Sequence, residues 1–235
     1  MFLRRLLLVF SIVLCGLLAL AAAGNAAGFL GPGKYTFHST SADAFFGMGK
    51  KGGPPSPSFM VSVSQGLNSF KPTDPPGDRI VIDNTMVFVS EFDGKGSGGF
   101  GCFIVPDNNF VVGSDLQSAS LHTILTADEA CPGFGTPVGG KGGGFPGGNG
   151  GLVLPMQVDV TWTATSAVTT YKQTFNLQCL DFNEDGNSTN MFTGAAATGS
   201  ISALGTRQFP SEFAEVNATD GMLDLRGEPA PPCGG

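Results

Sequence analysis

From Met156 to Thr165 the chain alternates without a break. Met156, Val158, Val160, Trp162 and Ala164 fall on one side, and Gln157, Asp159, Thr161, Thr163 and Thr165 on the other. Successive side chains of a strand point to opposite faces, so this pattern specifies a strand with one dry and one wet face. Tyr171 to Leu180 continues in the same manner, with Tyr171, Phe175, Leu177 and Cys179 in phase, and the short link Ser166 to Thr170 predicts a hairpin. Further strands are expected at Lys34–Phe46, Ser58–Gly66, Arg79–Asp83, Met86–Phe92, Cys102–Val105, Asn109–Val112, Leu116–Ala127, Asn190–Leu204 and Met222–Arg226. Gly and Pro clusters separate them, and no stretch carries a long 3.6-residue stripe. Pro210 to Val216 is the best helical candidate, with Pro210 at a first helical position. The expected fold class is all-β, a single antiparallel β-sandwich or barrel-like domain of about ten strands with long Gly-rich loops.

Three of those loops share a Gly-Lys flavour: Gly47–Pro57, Asp93–Gly101 and Pro132–Gly151. The last is long for a compact domain. Glycine this dense does not hold one conformation cheaply, so these loops read as insertions rather than as built sites.

The N-terminus has the layout of an export signal. Arg4 and Arg5 supply the positive start, Leu6 to Leu20 the apolar stretch, and Ala21 to Ala27 a small-residue cleavage zone. The expected organisation is a signal peptide over 1–27, a β domain over 28–227 and a Pro/Gly-rich tail over 228–235. Leu14 precedes Cys15 where a lipid-anchor signal needs a small residue, and no later segment is long and apolar enough to span a bilayer. The expected location is therefore secreted or periplasmic, without stable membrane insertion. The formal charge is −7, and loss of Arg4 and Arg5 makes it more negative. An acidic surface excludes nucleic acid as a partner class. Cys102, Cys131, Cys179 and Cys233 survive cleavage, and four cysteines in an exported chain mean two disulfides. Three connectivities satisfy them. The expected one is Cys102–Cys131 with Cys179–Cys233, the second tying down the tail.

The runs Val87–Phe92, Leu116–Leu125 and Val158-Asp-Val-Thr-Trp-Thr-Ala-Thr165 resemble those of a set of exported bacterial β-proteins that carry a Val-Asp-Leu-Thr-Trp-Thr-Gly-Thr stretch. The resemblance covers roughly residues 34 to 205, with Ala164 where glycine is commoner, and implies an exported β-fold without an assigned activity.

The sharpest chemical pattern is Asp181-Phe-Asn183-Glu-Asp185-Gly186-Asn187. Oxygen ligands at positions 1, 3 and 5 and glycine at 6 match the start of a calcium loop, which makes Asp181, Asn183, Asp185 and Asn187 candidate Ca²⁺ ligands. Position 12 is Phe192, where the full motif needs a bidentate Glu, and the alternative reading is a polar hairpin turn. Gly135 to Lys141 matches the first seven places of a phosphate loop but continues Gly-Gly-Gly instead of Ser or Thr. His38 and His122 lie on separate expected strands. His122 shares a face with Ser118 and Ser120, and Asp43 or Asp128 are the conceivable third members of a triad, but no Gly-x-Ser-x-Gly elbow is present. Paired carboxylates for sugar hydrolysis would come from Glu91, Asp93, Asp128, Glu129, Asp181, Glu184 and Asp185. Twenty Phe against one Trp and two Tyr favours packing over sugar platforms. Phe45, Phe46, Phe100, Phe134 and Phe145 lie in or beside the glycine loops, where clustering would line an apolar mouth. The leading functional expectation is an exported, non-enzymatic interaction or binding protein whose partner is an extracellular protein, a glycan or a small apolar ligand. A small-ligand carrier and a carboxylate hydrolase are the alternatives.

Overall fold

Three strands are much longer than the others, and the rest of the molecule is arranged along them: β1 (Gly33–Phe46), β11 (Asn183–Ile201) and β13 (Phe213–Arg226). The computed structural model describes residues 30–46, 58–67, 69–81, 85–92, 99–131, 152–177, 183–202, 209–211 and 213–226. The remaining described strands are β2 (Ser58–Gln65), β3 (Ser69–Asp74), β4 (Ile80–Val81), β5 (Thr85–Phe92), β6 (Phe100–Val105), β7 (Phe110–Val112), β8 (Ser118–Leu125), β9 (Met156–Ala164), β10 (Thr169–Leu177) and β12 (Phe209–Pro210). All thirteen belong to one antiparallel sheet, so the all-β expectation holds.

The main path through the sheet runs β6-β5-β2-β1-β13-β11-β9-β8-β7. Its two end strands are neighbours in sequence, joined through one 3-10 turn at Asp107–Asn109. A sheet of nine strands can satisfy that short link only by curling until its ends approach. The seam carries three ties. Phe103 bridges to Ala130, the Cys131 amide donates to the Cys102 carbonyl at 2.9 Å, and Cys102 and Cys131 form a disulfide. Inside the curl lies one apolar cluster fed by every strand of the path. It includes Ala42, Ala44, Phe46, Val61, Val63, Val87, Phe103, Phe110, Leu121, Val158, Val160, Trp162, Ala197 and Val216. Trp162 is fully buried, and its indole N–H crosses the interior to the Asp43 carbonyl at 2.8 Å. The barrel-like body is thus filled by side chains.

The long strands run on beyond this body. There β1, β13 and β11 are joined by β3 and β4 on one side and β10 on the other, in the order β4-β3-β1-β13-β11-β10. This extension has its own small core of Leu30, Tyr35, Phe70, Leu223 and Leu225, with Phe37 and Ile80 packed against it. The dry face changes sides along the strand. In the body β1 buries Ala42, Ala44 and Phe46; in the extension it buries Tyr35, of opposite parity. On β13 the change runs from Ala214, Val216 and Ala218 to Leu223 and Leu225. Gly221 stands in the changeover, opposite Phe37, whose ring lies across it; a Cβ there would come within 2.2 Å of that ring. A cross-strand aromatic commonly covers a strand glycine in this way.

Four expectations are corrected. Pro210 to Val216 is not helical: Phe209 and Pro210 pair with β11, and Phe213 opens β13, whose Ala214 and Val216 alternate into the core. Residues 166–170 are not a hairpin turn, because β9 and β10 lie end to end along β11 instead of pairing with each other. Asp185-Gly186 is not the turn of a hairpin either. Gly186 sits within the ladder, opposite Phe175 on one side and Leu223 on the other. The strand expected at Arg79–Asp83 is reduced to Ile80–Val81, and β3 (Ser69–Asp74) is a further strand whose alternation Pro72 interrupts. Residues 1–27, Cys179, Cys233, the loop Gly47–Pro57, Asp93 to Ser97 and residues 132–151 lie outside the described residues.

Candidate functional site

The strand face that is dry inside the body emerges in the extension as an open polar surface. Three rows cross it. The first aligns Asn176, Asp185, Asp224 and Lys34; the second Thr174, Asn187, Met222 and Thr36; the third Lys172, Thr189, Asp220 and His38. The directly opposed Asp185 and Asp224 would repel one another. Arg226 relieves this, its Nη2 lying 2.7 Å from Asp185 and 3.7 Å from Asp224. Asn176 also donates to Asp185. His38 Nδ1 meets Asp220 at 2.7 Å, and Lys34 meets Asp74 at 3.8 Å. Met222 stands in the middle of these charges, 53% exposed.

A second polar group lies on the outside of the body, in a shallow hollow of about 380 Å³ lined by Pro106, Asn109, His122, Thr123, Ile124, Glu129, Gln157 and Asp159. Strand pairing sets His122 opposite Asp159, with Nδ1 at 3.1 Å from the carboxylate. Gln157 donates to the other oxygen of Asp159 at 2.6 Å. Asn109 donates to Thr123 at 3.1 Å, and Glu129 accepts from the Thr126 amide at 2.9 Å, capping the turn Ala127–Glu129. The aspartate that meets His122 is therefore Asp159, neither Asp43 nor Asp128. Ser118 and Ser120 share its strand face but make no hydrogen bond to the ring among the described contacts.

The third feature is Asp43, 7% exposed on the body's outer face. It accepts from the Ser62 hydroxyl and stands directly opposite Glu215. Burial pushes its pKa up to about 7; the Ser62 hydrogen bond pulls the other way, and Glu215 adds to the rise.

Of the candidate calcium ligands, Asp181 lies outside the described residues. Asn183, Asp185 and Asn187 occupy alternate positions of β11, extended backbone where the loop motif needs a bend, and Asp185 is engaged by Arg226 and Asn176. Among the described residues no group of three or more His, Cys, Asp or Glu is placed to hold a metal ion. His38 and His122 are kept apart, with β13, β11 and β9 between their strands. The hydrolase carboxylates are scattered: Glu91 on β5, Asp128 and Glu129 in a 3-10 turn, Asp185 on β11. The carboxylates brought together are Asp43 with Glu215 and Asp185 with Asp224, both fixed by strand register. Phe46 is buried in the body's core, while Phe100 stacks on Phe88, ring centroids 6.1 Å apart. Phe134 and Phe145 lie outside the described residues, as does the Gly135 to Lys141 segment. Cys102–Cys131 is the disulfide expected from the sequence.

Among the described residues no helix is long and apolar enough to cross a membrane. Comparison of the chain with protein-family models, with curated proteins and with solved structures finds no match.

Proposed function

We propose that this chain is an exported, non-enzymatic binding protein whose contact surface is the polar face of the extension, and that its partner is another extracellular protein. One observation carries the reading: Met222, half exposed, stands between Asp220 and Asp224 along β13, with Lys34 and His38 in the flanking rows of β1 and Arg226 at the end of the same strand face. Protein contact surfaces are enriched in Met and Arg, and a central apolar anchor with a polar surround suits them. The face rests on a paired six-strand sheet, so its side chains are held in fixed rows before a partner arrives. The disulfide and the signal-like N-terminus support an oxidising, extracytoplasmic location. The side-chain filling of the body weighs against the carrier alternative, and the burial of Asp43 against its use as an acid on a bulky sugar.

Site-specific photo-crosslinking from position 222 in the producing cells tests this. The expected result is one discrete crosslinked protein, lost when Asp220→Lys and Arg226→Glu are introduced together. A crosslinker at 222 that captures nothing, beside an unchanged crosslinking control on another exposed strand residue, refutes the proposed surface.

A further inference from the structure

β10 differs from every other long strand in the molecule. Among the described residues it pairs with β11 only, through nine continuous residue pairs from Thr169 to Leu177 without a bulge. Thr169, Thr170, Tyr171, Lys172, Gln173, Thr174 and Asn176 are all exposed, although the Tyr171 ring meets Phe192 and Asn176 donates to Asp185. Its one described ladder is with β11. On the side away from β11, alternate residues turn their N–H and C=O outward. The line beyond belongs to β8 farther along, but β8 ends at Ser118 opposite Thr163, and no described strand continues it beside β10. The other ends of the sheet differ. β6 is tied by Cys102–Cys131, β7 has three residues, and β4 has two.

The devices that usually protect an edge are sparse here: β10 has no proline and no carboxylate, and Lys172 is its one charge. In a chain of net charge −7, this edge is where two copies can approach without bringing acids together. Its sequence also suits a two-fold. Antiparallel pairing centred on Gln173 overlaps all nine residues and sets Lys172 opposite Thr174, Tyr171 opposite Phe175, Thr170 opposite Asn176 and Thr169 opposite Leu177. The one charge meets a hydroxyl residue, and no like charges stand opposite one another, a favourable cross-strand arrangement. A closed, isologous contact of this type ends at two copies and leaves neither edge open.

We infer that the outer edge of β10 pairs antiparallel with the same edge of a second copy, about a two-fold axis at Gln173, joining two extensions into one continuous sheet. The inference is independent of what the polar face binds. Sedimentation velocity of the purified protein over a concentration series tests association, with a dimer expected. Gln173→Glu places two carboxylates face to face on the axis and is expected to weaken the dimer by up to about fivefold. Its side chain is exposed, so the monomer fold should not change. Register is read by mild oxidation in a background carrying Cys179→Ser and Cys233→Ser. Gln173→Cys should give a disulfide-linked dimer. Thr170→Cys should not, since the two copies of that residue would stand roughly 20 Å apart. A protein that stays monomeric throughout the series overturns the inference. So does a dimer indifferent to Gln173→Glu, or one that crosslinks as readily through position 170 as through 173.

Discussion

The two halves of β1 and β13 share the same backbone and opposite dry faces. In the body, Ala42, Ala44 and Phe46 with Ala214, Val216 and Ala218 look into a core closed on all sides; in the extension, Tyr35 with Leu223 and Leu225 look the other way, into a small core capped by β3 and β4. A strand has a period of two, so a change of parity moves the whole apolar set across the sheet. The body gains its stability from a large, shared interior. The extension has about five buried residues and depends on ladders to its neighbours. The polar face and the exposed β10 both belong to the second region, where fewer packing demands constrain the surface residues.

The largest expected difference comes from Trp162. Trp162→Ala removes the biggest buried side chain of the body and leaves the Asp43 carbonyl without its indole donor. A loss of about 3–5 kcal/mol is expected, in one cooperative transition, because β1, β11 and β13 cannot stay paired in the extension once their other halves come apart. Urea unfolding followed by fluorescence of a probe in each region checks it. If the extension keeps its transition while the body melts, the two are independent units and the shared-strand account fails.

Asp43 gives the body a pH dependence of its own. Its carboxyl keeps a proton up to about pH 7 when folded, whereas an ordinary aspartate in the unfolded chain releases it near 3.8. Between those values the folded state binds the extra proton, so stability falls as pH rises, by up to about 1.4 kcal/mol per unit, and levels off above 7. The total approaches about 4 kcal/mol. Asp43→Asn should remove that slope, and urea midpoints at pH 5 and pH 8 measure it. A wild-type slope unchanged in Asp43→Asn would show that some other group titrates.

Reduction of Cys102–Cys131 frees the seam and loosens the unfolded chain. The cysteines are 29 residues apart, and a loop of that length stabilises by about 3.6 kcal/mol through the unfolded chain. Hydrogen exchange after reduction should rise most in β6 and β7, at the two ends of the body's strand path, and in β10 only as far as global unfolding carries it. Equal rises everywhere would mean the seam is not a local feature.

These contrasts also explain what the sequence reveals and what it hides. β2, β5 and β9 keep one parity from end to end, so alternation alone finds them, and the cysteines flanking one block of strands suggest their own pairing. β13 crosses from one core to the other and its alternation breaks near Asp220-Gly221, while the stretch of β11 beside it carries Asp185-Gly186 and adds no residue to the small core. Both dipeptides have the chemistry of a turn, and only neighbouring strands hold them extended. The same competition misled the calcium pattern: oxygen residues at alternate positions describe one face of a strand as well as a loop. Likewise, the wet face of β9 exposes Asp159 to view in the sequence, but its meeting with His122 depends on β8 pairing with β9, and that of Asp43 with Glu215 on β1 pairing with β13. Pairing of this kind is set by the whole sheet rather than by either segment.

The smallest expected effect sharpens the comparison most, because it is confined to the changeover. A Cβ on Gly221 would come within 2.2 Å of the Phe37 ring and 2.9 Å of the Asn187 carbonyl. The ring can swing out, but in doing so it leaves the small core. Gly221→Ala should therefore cost about 1–3 kcal/mol, as overpacking does, and should appear first as faster exchange in residues 183–189 and 220–226. Phe37→Ala loses the ring's packing and opens the space. In the double variant the clash with the ring is gone and only the close approach to the Asn187 carbonyl remains, so its cost should fall short of the sum of the two single costs by about 0.5–3 kcal/mol, the usual range for residues in contact. Additive costs would mean that Phe37 does not lie on Gly221, and that the extension's core closes by some other contact.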